Sequence, residues 1–140
     1  MPTRFLFSFI FFLFLSACGG GSSSSGEGEN NSNAFKGEQT ITLTNGSTSA
    51  TEKDDFIATL EGNIVTIVDE NFSAKGELNA NNQFTVSSPM FSTTSSGTTC
   101  TGSVDYIGEI NANIIFGSIK GEFTCSEIVF DVSGEFSGSN

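Results

Sequence analysis

Apolar and polar side chains alternate with a period of two along most of the chain beyond residue 34. That spacing belongs to strands with one face in a core and the other in solvent. From Phe35 to Leu43 the inward set is Phe35, Gly37, Ile41 and Leu43, set against outward Lys36, Glu38, Thr40 and Thr42. Gln39 breaks the pattern by facing inward. From Phe72 to Leu78 the inward residues are Phe72, Ala74, Gly76 and Leu78, and in the last strand they are Ile128, Phe130, Val132, Gly134 and Phe136. No stretch of useful length carries a helical period.

The segment from Cys100 to Cys125 fixes its own register. A hairpin turning at Ala112 and Asn113 sets Cys100 opposite Cys125, Tyr106 opposite Ile119 and Ile110 opposite Ile115, all on one mostly apolar face. On the other face Asp105 meets Lys120 and Thr101 meets Thr124, favourable cross-strand pairs. Gly102 opposes Phe123 and Gly121 opposes Val104, a small-against-large fit suited to a tightly curved sheet. The two cysteines therefore form a disulfide, which implies an oxidising compartment. Closing a loop of this size contributes roughly 3.5 kcal/mol in the chain-entropy model.

Short polar turns divide the rest. Glu61-Gly62-Asn63 separates Phe56 to Leu60 from Ile64 to Val68, Asp69-Glu70-Asn71 follows, and Ala80-Asn81-Asn82 lets Leu78 face Phe84 and Gly76 face Val86. Residues 45–54 and 92–99 read as longer connections. About eight antiparallel strands result, at 35–44, 55–60, 63–69, 72–78, 83–88, 98–110, 114–124 and 127–137. Sequential hairpins predict an all-β, up-and-down meander barrel, which removes exposed sheet edges; a two-sheet sandwich is the alternative. Lys36-Gly37-Glu38, Lys75-Gly76-Glu77 and Lys120-Gly121-Glu122, with the variant Ser133-Gly134-Glu135, form a weak repeat. Its inward glycines suit sharp bending, and its glutamates are expected on the solvent face of well-separated strands.

The first 33 residues belong to another category. Arg4 precedes an apolar run from Phe5 to Leu15, broken only by Ser8 and of signal-peptide rather than membrane-spanning length. Leu15-Ser16-Ala17-Cys18 follows and resembles the bacterial lipoprotein lipobox at all four positions. The resemblance implies cleavage after Ala17, lipidation of Cys18 with acyl groups such as palmitate, and, since Gly19 rather than Asp follows, the outer membrane. Two or more acyl chains hold a protein stably to a bilayer where one does not. Residues 19–33, rich in Gly, Ser, Asn and Glu, are a flexible tether spanning on the order of 20 Å. The expected organisation is a signal peptide over 1–17, the lipidated tether over 18–33 and one all-β domain over 34–140.

Charge narrows the partners. Only Lys36, Lys53, Lys75 and Lys120 remain after the leader, against all 16 carboxylates, a net −12. Such a surface disfavours nucleic acid and anionic headgroups and favours a cationic partner. With no histidine in the chain, serine triads have no base, and metal or cofactor sites are not expected. The acids Glu52, Asp54 and Asp55, and Asp69 with Glu70, lack the ligand spacing of a calcium loop.

Apolar residues also fall on the polar faces. Ile107, Ile114 and Phe116 point away from the disulfide face. The hairpin from Phe56 to Val68 shows either Ile57, Val65 and Ile67 or Ile64 and Val68 on its outer side. These are either covered by packing of the two hairpins or form a partner-binding patch. The expectation is a non-enzymatic, lipid-anchored envelope protein acting by binding or structure. Two specific roles stand beside it. One is a lipocalin-like carrier of a small apolar ligand, although Phe35, Phe72, Phe84, Phe123, Phe130 and Phe136 could fill its interior. The other is a binder of a cationic protein. The chain is similar in size, anchor and disulfide to small acidic barrel lipoproteins that inhibit lysozyme. It matches none of their signature motifs, so no functional residue is carried over.

Overall fold

The computed structural model describes residues 33–140 apart from Ser96, and all regular elements among them are strands. They are β1 (Asn33–Asn45), β2 (Thr48–Glu61), β3 (Ile64–Val68), β4 (Ser73–Glu77), β5 (Gln83–Ser87), β6 (Phe91–Ser95), β7 (Thr98–Asn111), β8 (Ile114–Cys125) and β9 (Ile128–Ser139). Their antiparallel order is β4-β3-β2-β1-β9-β8-β7-β5, with β6 alongside β7. A Leu78↔Phe84 bridge and the Asn79 amide donating to the Gln83 carbonyl at 2.8 Å join the two ends of this order. The sheet thus curls into a nearly closed barrel of eight strand positions rather than splitting into two stacked layers.

The β7–β8 ladder has the expected register throughout, including Cys100↔Cys125, Asp105↔Lys120, Tyr106↔Ile119 and Ile110↔Ile115. Cys100 and Cys125 form the disulfide, with an S–S distance of 2.08 Å. Gly108 and Gly117 face each other across this ladder. A Cβ on Gly108 would lie 2.7 Å from Phe136 Cζ, and one on Gly117 would lie 2.8 Å from Phe136 Cε1. Only glycine at both positions lets that ring lie against the two backbones.

Two segments expected to be connections are strands. Residues 48–54 continue β2 along β1 as far as the Asn45↔Thr48 pair, and Phe91–Ser95 pairs with Thr98–Gly102 of β7. Both lack apolar periodicity and instead use threonine, a good strand former, in cross-strand hydroxyl pairs. Thr42 and Thr51 lie at 2.9 Å, Ser92 and Thr101 at 2.9 Å, and Thr94 and Thr99 at 3.0 Å. β5 and β6 also share one position in the barrel. β5 pairs with Asp105–Glu109 and β6 with Thr98–Gly102, in registers one residue apart. Pro89, which has no amide proton, lies at the break. There Ser88 donates its backbone N–H to the Val104 carbonyl at 2.8 Å and accepts the Val104 amide on its hydroxyl at 2.9 Å.

One register differs by a single residue. β2 and β3 pair as Ile57↔Val68, Ala58↔Ile67 and Leu60↔Val65. Gly62, at φ +63°, therefore opens a two-residue turn with Asn63, where the sequence suggested three residues. A one-residue slip exchanges faces. Val65 and Ile67 are buried, whereas Ile57 and Val68 are exposed together. The two hairpins do not cover one another, since Ile107, Ile114 and Phe116 are also exposed.

The core is one cluster of buried residues drawn from around the barrel. Seven rings form a continuous chain within it: Phe84, Phe56 and Tyr106 each contact Phe136, Tyr106 contacts Phe72, Phe72 contacts Phe91, and Phe91 contacts Phe123. Their centroids are 5.1–6.2 Å apart. Phe56 and Phe91 join this column, whereas Phe130 is only half-buried. Ile128, expected inside, is exposed beside the β8–β9 turn, where the barrel wall ends.

Candidate binding groove

Side chains directly opposite one another on neighbouring strands share a face, so the ladders define rows across the outside of the barrel. One row runs Gln83, Glu109, Phe116, Ser137, Glu38 and Asp55. The next runs Thr85, Ile107, Ser118, Glu135, Thr40 and Lys53. From β5 to β1 these rows line an open groove of about 1120 Å³, which Glu77 also borders, while the β2 ends of the rows lie beyond it. Four carboxylates line it, from Glu38, Glu77, Glu109 and Glu135, and none of its lining residues is basic. Ile107 and Phe116, 41% and 40% exposed, supply its exposed apolar surface, and the buried rings of Phe84 and Phe136 also border it.

Three of the four carboxylates belong to the glycine–glutamate repeat. The sequence reading placed Glu38, Glu77 and Glu135 on well-separated strands, but β1 and β9 are neighbours because the last strand pairs with the first. The repeat's glycines are also positions of close approach: a Cβ on Gly37 would overlap the Ser137 carbonyl, and one on Gly134 the Thr40 carbonyl. Inward glycines bring the strands together while their neighbouring glutamates remain outside.

A second acidic group lies beside the β3–β4 turn. Asp54 stands opposite Gln39, and Glu52 opposite Ile41, on β1. Burial, then the charges of Asp54 and Glu70, holds Glu52 above the ordinary 4.5. Glu70 is raised from the same value by burial, Asp54 and Asp69. Gln39 explains why the β1 pattern breaks. Its side-chain NH₂ donates to Asp69 Oδ2 at 2.8 Å, and its Oε1 accepts the Tyr106 hydroxyl at 2.7 Å. Asp69 Oδ1 also accepts the Asn71 amide at 3.0 Å. A hydrogen-bonded line therefore runs from the aromatic core to the β3–β4 turn. Burial, followed by the nearby Asp69 charge, pushes the Tyr106 phenol well above 10. Among the described residues no group of three or more acids and cysteines is placed to hold a metal ion.

No protein-family model matches this chain, and neither does any curated protein sequence. Its chemistry is therefore read from its own residues. Of the sequence-predicted patch, the groove brings Ile107 and Phe116 together, diagonal to one another across the β7–β8 ladder. Ile114 lies apart, opposite Asn111 next to the turn. Glu52, Asp54 and Asp55 are strand residues rather than a loop, and alternation sends Asp55 outward beside Glu38. The lipobox at Leu15 to Cys18 and the tether to Ser32 lie outside the described residues. Glu109 went unsingled in the sequence, and Glu135 was placed in the repeat but not beside Glu38 and Glu109, because their convergence depends on barrel order. Their signal was that each lies two residues from an outward Ile107 or Ser137 in a strand of known phase.

Proposed function

We propose that this chain is a lipid-anchored protein of the bacterial envelope that binds a cationic protein through its outer surface and performs no catalysis. The observation that carries the reading is the placement of its chemistry. Seven contacting rings run through the barrel, where a lipocalin-like carrier would hold its ligand. The exposed Ile107 and Phe116 lie among carboxylates on the outside. The net −12 after the leader favours association with a basic surface. Leu15-Ser16-Ala17-Cys18 supports the anchor, and the cross-strand disulfide supports an oxidising, exported location.

Two measurements test this. Native mass spectrometry of the mature protein purified from its host should give the oxidised, lipidated chain alone; a retained small apolar molecule would overturn the reading in favour of a carrier. Calorimetric titration with lysozyme as a cationic probe should give binding that weakens steeply with salt. Absence of binding to lysozyme and to other basic proteins at low salt would refute the partner class. For the anchor, Cys18→Ser should release the protein from membranes, and persistent membrane association would refute lipidation.

A further inference from the structure

We infer that the groove across β5, β7, β8, β9 and β1 is the docking site, and that its occupant is an extended protein segment carrying an apolar side chain between two basic ones. This inference rests on the cationic-partner reading and names where and how the contact is made. Charge complementarity selects the occupant: four glutamates line the groove with no lysine among its residues, and Asp55 stands directly opposite Glu38. Lys53, opposite Thr40 on the same face, offsets part of the Asp55–Glu38 repulsion, so the attraction of a bound cation for the groove's four glutamates carries the charge argument. Anionic lipid and nucleic acid are disfavoured by the same charge.

The register supplies the spacing. Glu109 and Glu38 end a row that passes through Phe116 on β8 and Ser137 on β9. Three strand steps separate those carboxylates, or roughly 14 Å. In an extended chain, side chains at i, i+2 and i+4 point the same way, and the outer two are roughly 13 Å apart. Two basic side chains at i and i+4 therefore reach Glu109 and Glu38 while the side chain at i+2 lies over Phe116, with Ile107 in the adjoining row. Glu135 in that row offers a further carboxylate to a longer segment. A purely polycationic chain would leave Phe116 and Ile107 exposed to water, whereas a purely apolar one would leave the glutamates unpaired.

The test is an NMR titration of the mature protein with the capped peptide Lys-Thr-Leu-Thr-Lys, alongside Lys-Thr-Ser-Thr-Lys of equal charge. Shift changes should centre on Ile107, Glu109, Phe116 and Glu135, and the leucine peptide should bind more tightly. Combined Glu38→Gln, Glu109→Gln and Glu135→Gln should raise Kd about tenfold or more, as expected for several exposed ion pairs lost together. Removing the same charge elsewhere, by Glu61→Gln, Glu122→Gln and Glu127→Gln, should change it far less. Phe116→Ser should abolish the preference for leucine, with far-UV circular dichroism checking that each variant is folded. Equal losses in the two charge sets would overturn the groove and leave the cationic-partner reading standing. So would lysozyme binding that persists when the peptide fails to bind. Failure of lysozyme and peptide alike would defeat both.

Discussion

Replacing Gln39 with leucine tests whether a polar line through an apolar barrel is integral to its stability. Tyr106 is fully buried, and its hydroxyl donates to Gln39 Oε1 at 2.7 Å. In Gln39→Leu that hydroxyl loses its partner in a site water reaches poorly, while Asp69, only partly buried, regains solvent. The expected cost is about 2 kcal/mol, which lowers Tm by on the order of 10 °C in a domain of this size. Tyr106→Phe should cost a similar amount by stranding the Gln39 carbonyl oxygen. The double variant removes both partners, so it should recover at least about 1 kcal/mol relative to the sum of the singles. Urea denaturation followed by far-UV circular dichroism of all four proteins measures that coupling. Strict additivity would refute the reasoning and show that the Tyr106–Gln39 bond contributes no net stability. The tyrosine offers an independent check, being the only one in a chain without tryptophan. Its phenol should stay protonated in the folded protein as pH passes 10. Because ionisation then favours the unfolded chain, stability should fall with rising pH above that value; free titration near 10 in the folded state would contradict the burial.

Cys100→Ala with Cys125→Ala should lower stability by about 3 kcal/mol through the loop of 25 residues it opens, and peptide mapping of the native protein should recover the two cysteines as one linked pair. The β8–β9 turn holds Ser126 at φ +48° and Glu127 at φ +68°. Ser126→Asn with Glu127→Gly should therefore raise stability by about 1 kcal/mol in chemical denaturation, and no gain would show the strain to be absent. Glu52 and Glu70 are raised by burial and by their acidic neighbours. The folded protein then binds protons more tightly than the unfolded chain, so their contribution is full below 4.5 and is lost as pH rises through their folded values. Thermal melts should show higher Tm at about pH 5 than at neutrality, and Glu52→Gln with Glu70→Gln should flatten that slope; an unchanged slope would refute the assignment.

The sequence alone determined an all-β meander, the register of β7 against β8 and the Cys100–Cys125 pairing. Each rests on period-two alternation within one hairpin, where separation along the chain and separation in space are nearly the same. It also marked Gln39 as an inward polar residue, because strand phase is a local property. The partner of Gln39 was not legible, since Asp69 and Tyr106 reach it only across the closed barrel. The polar segments 48–54 and Phe91–Ser95 lack alternation. They are strands because β1 and β7 offer them backbone partners and hydroxyls in register, a tertiary contribution that propensity does not encode. The β2–β3 slip turned on one residue of turn geometry: Gly62 at positive φ shortens the loop and parts Ile57, which is exposed, from Val65 and Ile67, which are buried. The groove is the most strictly tertiary feature. Glu38, Glu109 and Glu135 lie on strands far apart in the chain, and they meet because β9 returns to β1 and close-packed glycines hold the ladders in a fixed register.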